Sequence, residues 1–451
     1  MNSVSLKVEA MGKKRYAIVG TGGRYAIYLR SIIKDYNDCA EVVGLCDSNS
    51  HRLKVGAELA TKYGGPTVPT FTADRFEQMI DVTSPDVVIV TCIDRSHHRY
   101  IIAAMEMGRN VICEKPLTID AEKCRAILDA IKRTGRQLTL TFNYRYAPRN
   151  SKVKELLMKN IVGEIKSVHF EWLLDTRHGA DYFRRWRRDK LNSGGLIVHK
   201  ATHHFDLVNW WIDSSPKQVF ALGDLVFYGR ANAESRGITK FYARGTDDKN
   251  AEGDPFALNL KDSKLLKQIY YDAEYVDGYR RDQSVFSDGI SIEDDMAVMV
   301  RYRSGVTMSY HLTAYSPWEG YRVAFNGTEG RLEYEVHENS YISGGDDDAN
   351  QADNREEADI HEPARILVRP HWSKPYEVGL EGQTEGGHGG GDARLLEDLF
   401  APGRDDPLGR AANHIDGANS ILTGIAANLS MRTNLPVDTD QLISMELPGI
   451  K

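Results

Sequence analysis

The sequence predicts an α/β protein in two parts: a doubly wound parallel sheet at the N-terminal end, then an α+β region with a large, mostly antiparallel open sheet. Alternation carries the first part. Short β-branched runs at 16–19, 42–46, 87–91, 111–113 and 138–142 are separated by amphipathic segments such as 121–133, and strand alternating with helix is the pattern of a parallel sheet. Clustering carries the second part. Helical spacing at 152–159 and 195–211 accompanies strand-like runs at 165–174, 295–302, 306–313, 322–325, 332–336 and 366–368, with Ser304-Gly305 and Asn326-Gly327 as turn signals. The change of character falls after Asn143, dividing the chain into 1–143 and 144–451. Within the second part, 343–359 holds seven acidic residues and one Arg, the composition of a solvated loop. An apolar stripe over 411–433 predicts a closing helix, and there is no internal repeat.

At 451 residues and roughly 150 residues per domain, a peptide or a lone binding module is excluded. Hydrophobic residues make up 41% and charged ones 27%, and 57 Lys+Arg against 64 Asp+Glu give a net charge of -7. That is an ordinary globular composition, unsuited to coating nucleic acid. No run approaches the roughly 18 apolar residues of a membrane helix, and the opening residues lack the order of a secretory signal. A cytoplasmic protein with neither membrane nor nucleic-acid partner is expected. Cys39, Cys46, Cys92, Cys113 and Cys124 show no C-x-x-C spacing and predict neither disulfides nor a zinc ribbon. The composition leaves one peculiarity: 14 His, 6 Trp and 22 Tyr, several of the His and Trp crowded between Trp172 and Trp211.

The first strand runs straight into Gly20-Thr21-Gly22-Gly23-Arg24-Tyr25 and then a helical segment. A strand turning on glycine into a helix brings backbone N-H groups to a pyrophosphate, with no side chain in the way at Gly22. This is the Rossmann arrangement, although Tyr25 stands where a third glycine is usual. The second strand ends at Asp47, where a carboxylate can accept both ribose hydroxyls. An acid there repels a 2′-phosphate, so NAD is favoured over NADP, with Arg24 and Arg52 near enough to offset the repulsion. The alternative reading of Asp47 is a cap for the helix beginning near Ser48.

The buried run 111–113 ends in Glu114-Lys115-Pro116. Two opposite charges at the carboxyl edge of a parallel sheet are costly unless they pair or serve a ligand. Pro116 restricts Lys115 to an extended backbone, and a lysine beside a nicotinamide can share the proton of an alcohol. Further on, His199, His203, Asp206 and Trp210 are spaced by four, three and four, one stripe of a helix. Such spacing also suits zinc, with Asp206 as the available third ligand, but the reading adopted is no metal. His204 points away from the stripe and reads as a satisfied core histidine. Before this helix, Asp181-Tyr182-Phe183-Arg184-Arg185-Trp186-Arg187-Arg188 offers aromatic faces to stack on sugar rings and cations to bind hydroxyls or an acidic group; a solvated charged face is the alternative for Arg184 and Arg188. His178, Tyr146 and the glycine-flanked His388 are weaker candidates for the pocket wall.

The glycine turn, Asp47, the stretch from Thr91 to Gly108 with His97, Glu114-Lys115-Pro116, Asn143-Tyr144-Arg145-Tyr146, Gly163-Glu164, Trp186-Arg187, Gly194-Gly195 and the Asn434-Leu435-Pro436 exit resemble the glucose-fructose oxidoreductase / inositol dehydrogenase / MocA family over nearly the whole chain. The resemblance implies an NAD(P)-dependent dehydrogenase of a sugar, glycoside or cyclitol, commonly a dimer or tetramer formed through the open sheet. It implies Gly20, Gly22, Gly23, Arg24, Asp47, Thr91, His97, Glu114, Lys115 and Asn143 at the cofactor. Arg145, Trp186, Arg187, Lys200 and Asp206 are expected at the substrate, and Lys115, His203 and His199 at the chemistry. In the family the helix usually presents an Asp and, four residues later, a His; here His199 stands at the Asp position, so the usual proton relay is altered. Two other functions share the scaffold: a redox-neutral cleavage of glycosides through oxidation, elimination and re-reduction, and a silent sugar or cofactor sensor. An extra base at His199 suits the first, and Lys115 with His203 argues against the second.

Overall fold

The computed structural model describes residues 12–342, 364–380, 389–401, 403 and 405–443; the acidic stretch 343–359 and His388 lie outside them. The first sheet contains β1 (Lys14–Val19), β2 (Ala40–Asp47), β3 (Thr70–Thr72), β4 (Val87–Val90), β5 (Asn110–Cys113) and β6 (Leu138–Leu140). They run parallel in the order β6-β5-β4-β1-β2-β3. Every residue of β4 is buried, as a strand covered by helices on both faces requires. The strand order reverses between β1 and β4, which opens a ligand crevice at their carboxyl ends.

The second sheet contains β7 (Ile165–Asp175), β8 (Pro216–Asp224), β9 (Asp295–Tyr302), β10 (Thr307–Ser316), β11 (Gly320–Gly327), β12 (Gly330–His337), β13 (Ala364–Pro370) and β14 (Tyr376–Val378). After them β15 (Ala412–Asn413) adds to β6 of the first sheet, antiparallel, and β16 (Val437–Asp438) pairs with β8. The order is β14-β13-β12-β11-β7-β10-β9-β8-β16, with β7 and β10 the parallel pair. Alternation decides the faces. In β9, Met296, Val298, Val300 and Tyr302 are buried while Ala297, Met299 and Arg301 are exposed, the period of a half-buried strand. The inner face is covered by the Ala201–Ile212 and His414–Thr433 helices. The outer face is open and partly apolar, with Leu222 55% and Met299 52% exposed around a hollow of about 630 Å³.

Three differences from the expected elements have physical reasons. β8 escapes a pattern reading because its alternation is broken, with adjacent exposed residues at Lys217 and Gln218, and β3, β14, β15 and β16 are too short to carry a pattern. Asn326-Gly327 closes β11, and the chain reverses at Thr328-Glu329 instead. The expected helix 195–211 is two, Leu196–His199 and Ala201–Ile212. Between β8 and β9 the chain makes only short helical turns, such as Lys264–Ile269. Arg184 holds this excursion by donating to the Phe256 carbonyl at 2.9 and 2.6 Å, and Arg188 by donating to the carbonyls of Ser284 and Asp288.

One buried group ties the parts together. Arg145, just beyond β6, donates from Nε and Nη2 to the two oxygens of Asp206 at 2.8 and 2.6 Å, and from Nη2 to Asp416 at 3.0 Å. Its guanidinium lies 5.8 Å from the rings of both Phe142 and Trp210. Both Arg145 and Asp206 were expected at the substrate; each is almost fully buried and they are each other's partner. Asp206→Ala leaves the buried Arg145 with only Asp416 and the Gly409 carbonyl and should cost about 3 kcal/mol, read as a lowered midpoint in urea unfolding.

Candidate active site

Gly20 follows β1 with φ +95° and with the space a Cβ needs filled by the Cys92 backbone nitrogen, 2.5 Å away, so only glycine fits. Gly22 and Gly23 face open space: the nearest atom to a Cβ there is the Tyr270 hydroxyl, at 3.9 and 3.6 Å. A turn closed from below and open above fits a pyrophosphate at the start of the Tyr25–Arg30 helix. Thr91 seals the crevice floor by donating from Oγ1 to the Gly20 carbonyl at 2.6 Å.

Several residues expected to touch a cofactor are turned toward the protein. Asp47 accepts from Thr21 N at 2.6 Å, Thr21 Oγ1 at 3.0 Å and Asn49 N at 2.7 Å, so its carboxylate braces the glycine turn. It caps no helix; Asn49 caps the one that starts at Ser50. Arg24 donates to Glu114 at 2.6 Å and to Asp392 at 2.8 Å, Tyr28 donates to Glu114 at 2.6 Å, and Asn143 donates to Asp392 at 2.8 Å. Arg24, Glu114 and Asn143 thereby form one network under the turn. Arg24 holds the Glu114 carboxyl below its usual range despite burial. His97 is buried, with Nδ1 at 2.8 Å from the Pro116 carbonyl and Nε2 at 3.1 Å from that of Cys92. It fixes the backbone on which Lys115 stands.

Lys115 emerges from the end of β5 and makes no ion pair among the described residues. Burial, with the Arg187 cation beside it, pushes its ammonium down to about 7. Burial pushes the carboxyl of Asp94 up, while the Lys115 and Arg187 cations pull it back toward the ionised form. Asp94 bonds through Oδ2 to His199 Nδ1, both groups being buried, and His199 Nε2 is buried without a hydrogen bond among the described residues. A carboxylate on one imidazole nitrogen fixes the tautomer and leaves the other for chemistry. The carboxylate absent from the histidine helix is thus supplied by the loop after β4.

His203, one turn along, stacks on Tyr144 with ring centroids 4.4 Å apart. Lys200 donates to the Tyr144 hydroxyl at 3.1 Å. Trp186 and Tyr182 each stand 5.8 Å from the His199 ring, edge to face, and the Arg187 guanidinium lies 5.4 and 5.3 Å over those two aromatic rings. Arg187 Nε is buried and without a hydrogen bond among the described residues. Lys115, His199, His203, Trp186, Arg187 and Lys200 are therefore brought together. His178 joins the rim, 2.8 Å from Glu319 and 3.2 Å from the Tyr182 hydroxyl. Tyr146 is elsewhere, donating to Asp398, and His204 has Nδ1 2.7 Å from the Tyr310 hydroxyl and stacks on Trp172, its buried Nε2 having no hydrogen bond among the described residues. Asp94, Tyr144 and Asp392 were not anticipated. Asp94 could have been: it follows β4 at the carboxyl edge of the sheet, where ligands bind.

Two models of one family match, "Oxidoreductase family, NAD-binding Rossmann fold" over 14–142 and "Oxidoreductase family, C-terminal alpha/beta domain" over 154–439. The chain is 32% identical to the Bacillus subtilis (strain 168) protein YteT, named as an oxidoreductase, across 96% of this chain and 99% of that one. It is 30% identical to D-glucoside 3-dehydrogenase of Escherichia coli (strain K12), across 43% of this chain and 52% of that one. A solved oxidoreductase of Agrobacterium radiobacter in complex with NAD+, L-tartaric acid and magnesium matches with a TM-score of 0.61 at 14% identity, across 96% of this chain and 100% of that one.

The Lys115 environment is directly measurable. Its modification by a small amine-acylating reagent, followed by peptide mass spectrometry, should rise with pH around a midpoint of about 7. A midpoint in the ordinary lysine range would contradict the burial argument.

Proposed function

The chain belongs to the Gfo/Idh/MocA oxidoreductase family, with an NAD-binding Rossmann domain at its N-terminal end, and from that premise we propose that it oxidises a secondary hydroxyl of a sugar, glycoside or cyclitol. The observation that carries this reading is the meeting of Lys115, at the edge of the nucleotide sheet, with the Asp94 and His199 pair and the neighbouring His203. Bound NAD supplies the acceptor for the hydride that leaves the substrate carbon. In this assignment His203 takes the hydroxyl proton, and Lys115 stands beside the oxygen and stabilises the charge that develops there. General acid-base help of this kind contributes on the order of a hundredfold to ten-thousandfold in rate. Asp94 holds His199 so that Nε2 meets a neighbouring hydroxyl. Trp186 and Arg187 form the pocket wall, with Lys200 behind Tyr144. The names of relatives that act on glucosides and inositols support the substrate class.

We assign 1–143 to the cofactor and 144–451 to the substrate and to self-association, the open apolar face of the second sheet being the surface suited to a second copy. NAD is preferred over NADP because the carboxylate of Asp47 stands at the end of β2, where a 2′-phosphate would have to approach. A second reading, redox-neutral cleavage of a glycoside, is favoured by one observation. The Asp94 and His199 pair is a base additional to His203, and oxidation followed by elimination needs two.

Incubation with NAD and a panel of sugars, glycosides and inositols separates the two readings. Product with stoichiometric NADH supports the dehydrogenase, and product without NADH supports the cleavage. Lys115→Ala should nearly abolish turnover while NAD affinity stays within a few fold. Wild-type turnover in that variant removes Lys115 from the chemistry.

A further inference from the structure

The excursion between β8 and β9 lies partly against the nucleotide-binding part of the chain. Asn49 Nδ2 donates to the Ala273 carbonyl at 3.0 Å, and His51 Nε2 lies 3.1 Å from that of Gln268. Val55, on the helix after β2, shares an apolar cluster with Leu258, Leu260, Ile269 and Tyr270. Tyr270 is the residue whose hydroxyl overlooks Gly22 and Gly23. The segment therefore runs from the pyrophosphate turn toward the end of β2.

At that end it delivers Asp277. The Arg52 Nη2 atom lies 2.6 Å from Asp277 Oδ2 and 3.4 Å from Asp47 Oδ1, with the Arg52 side chain only 11% exposed. In folds of this kind the group at the end of β2 holds the adenosine ribose, and an Arg beside it accommodates the 2′-phosphate that distinguishes NADP. Arg52 is that cation by position. One guanidinium facing two carboxylates leaves a local charge of -1, and a phosphate monoester carries about -1.5 to -2 more.

We infer that Asp277 is a specificity-determining residue: brought in by the excursion, it engages Arg52 and closes the ribose end of the site to a 2′-phosphate. Cofactor choice then belongs to an element of the second part of the chain as much as to the nucleotide fold. The inference rests on the NAD preference proposed above. With the Asp277 charge removed, Arg52 keeps only its longer contact to Asp47 and is free to make charge-assisted bonds to a phosphate.

The test is equilibrium titration of the full chain with NAD and with NADP, in the absence of sugar, for wild type, Asp277→Asn and Arg52→Met. Wild type should prefer NAD. Asp277→Asn should bind NADP about tenfold tighter or more, which corresponds to about 1.4 kcal/mol, with NAD affinity within about threefold and serving as the check on folding. Arg52→Met leaves the Asp47 and Asp277 carboxylates without their shared cation, so it should bind NADP no tighter than wild type, and combining it with Asp277→Asn should abolish the NADP gain of that variant. An Asp277→Asn protein that binds NAD normally and NADP no tighter overturns the role of Asp277 and leaves the NAD preference standing. An NADP gain in Asp277→Asn that persists when Arg52→Met is combined with it also overturns that role. A wild type that binds NADP as tightly as NAD overturns both.

Discussion

The buried Arg145 guanidinium is the constraint on which the site depends. A cation out of water must be satisfied or it destabilises the fold by several kcal/mol. Arg145 is satisfied by Asp206 on the histidine helix, by Asp416 at the start of the closing helix and by the Gly409 carbonyl at 3.3 Å. Three stretches of chain distant in sequence are thereby held at fixed separations. His199 and His203 belong to the same helical stretch as Asp206, so their place relative to the end of β5 and Lys115 follows from that one interaction.

The second organising feature is a relocation. Relatives in this family usually present a carboxylate one helical turn before the histidine, and this chain presents His199 there. The carboxylate is not lost; Asp94 supplies it from the loop after β4 and bonds to Nδ1 of His199. The two members of this pair come from different halves of the chain, so their contact requires the halves to be docked.

Five strands of the first sheet were legible because they read as short apolar runs, whereas β3 and β15 were too short to do so. β9 was equally legible because it alternates cleanly. β8 was not, because adjacent exposed residues interrupt its period, and the excursion after it has no period at all. Lys115, His199, His203, Trp186 and Arg187 were identified as a group from local spacing and family resemblance. The pairing of Arg145 with Asp206, and the contacts of Asp47 with Thr21 and Asn49, could not be foreseen, because spacing reports which face a side chain occupies and not what already meets it there. The partners that give His199 and Arg52 their meaning, Asp94 and Asp277, lie 105 and 225 residues away, beyond any local pattern.

The central proposal is that a substrate carbon gives its hydride to bound NAD while these groups take the hydroxyl proton. The most direct measurement is the fate of deuterium when wild-type protein is given NAD and carbon-deuterated sugars and glycosides, one at a time. The account predicts a substrate whose deuterium is recovered on the nicotinamide of the product cofactor, in a one-to-one ratio with oxidised sugar. Deuterium that passes to solvent, or that never leaves carbon in a reaction that still forms product, would contradict it.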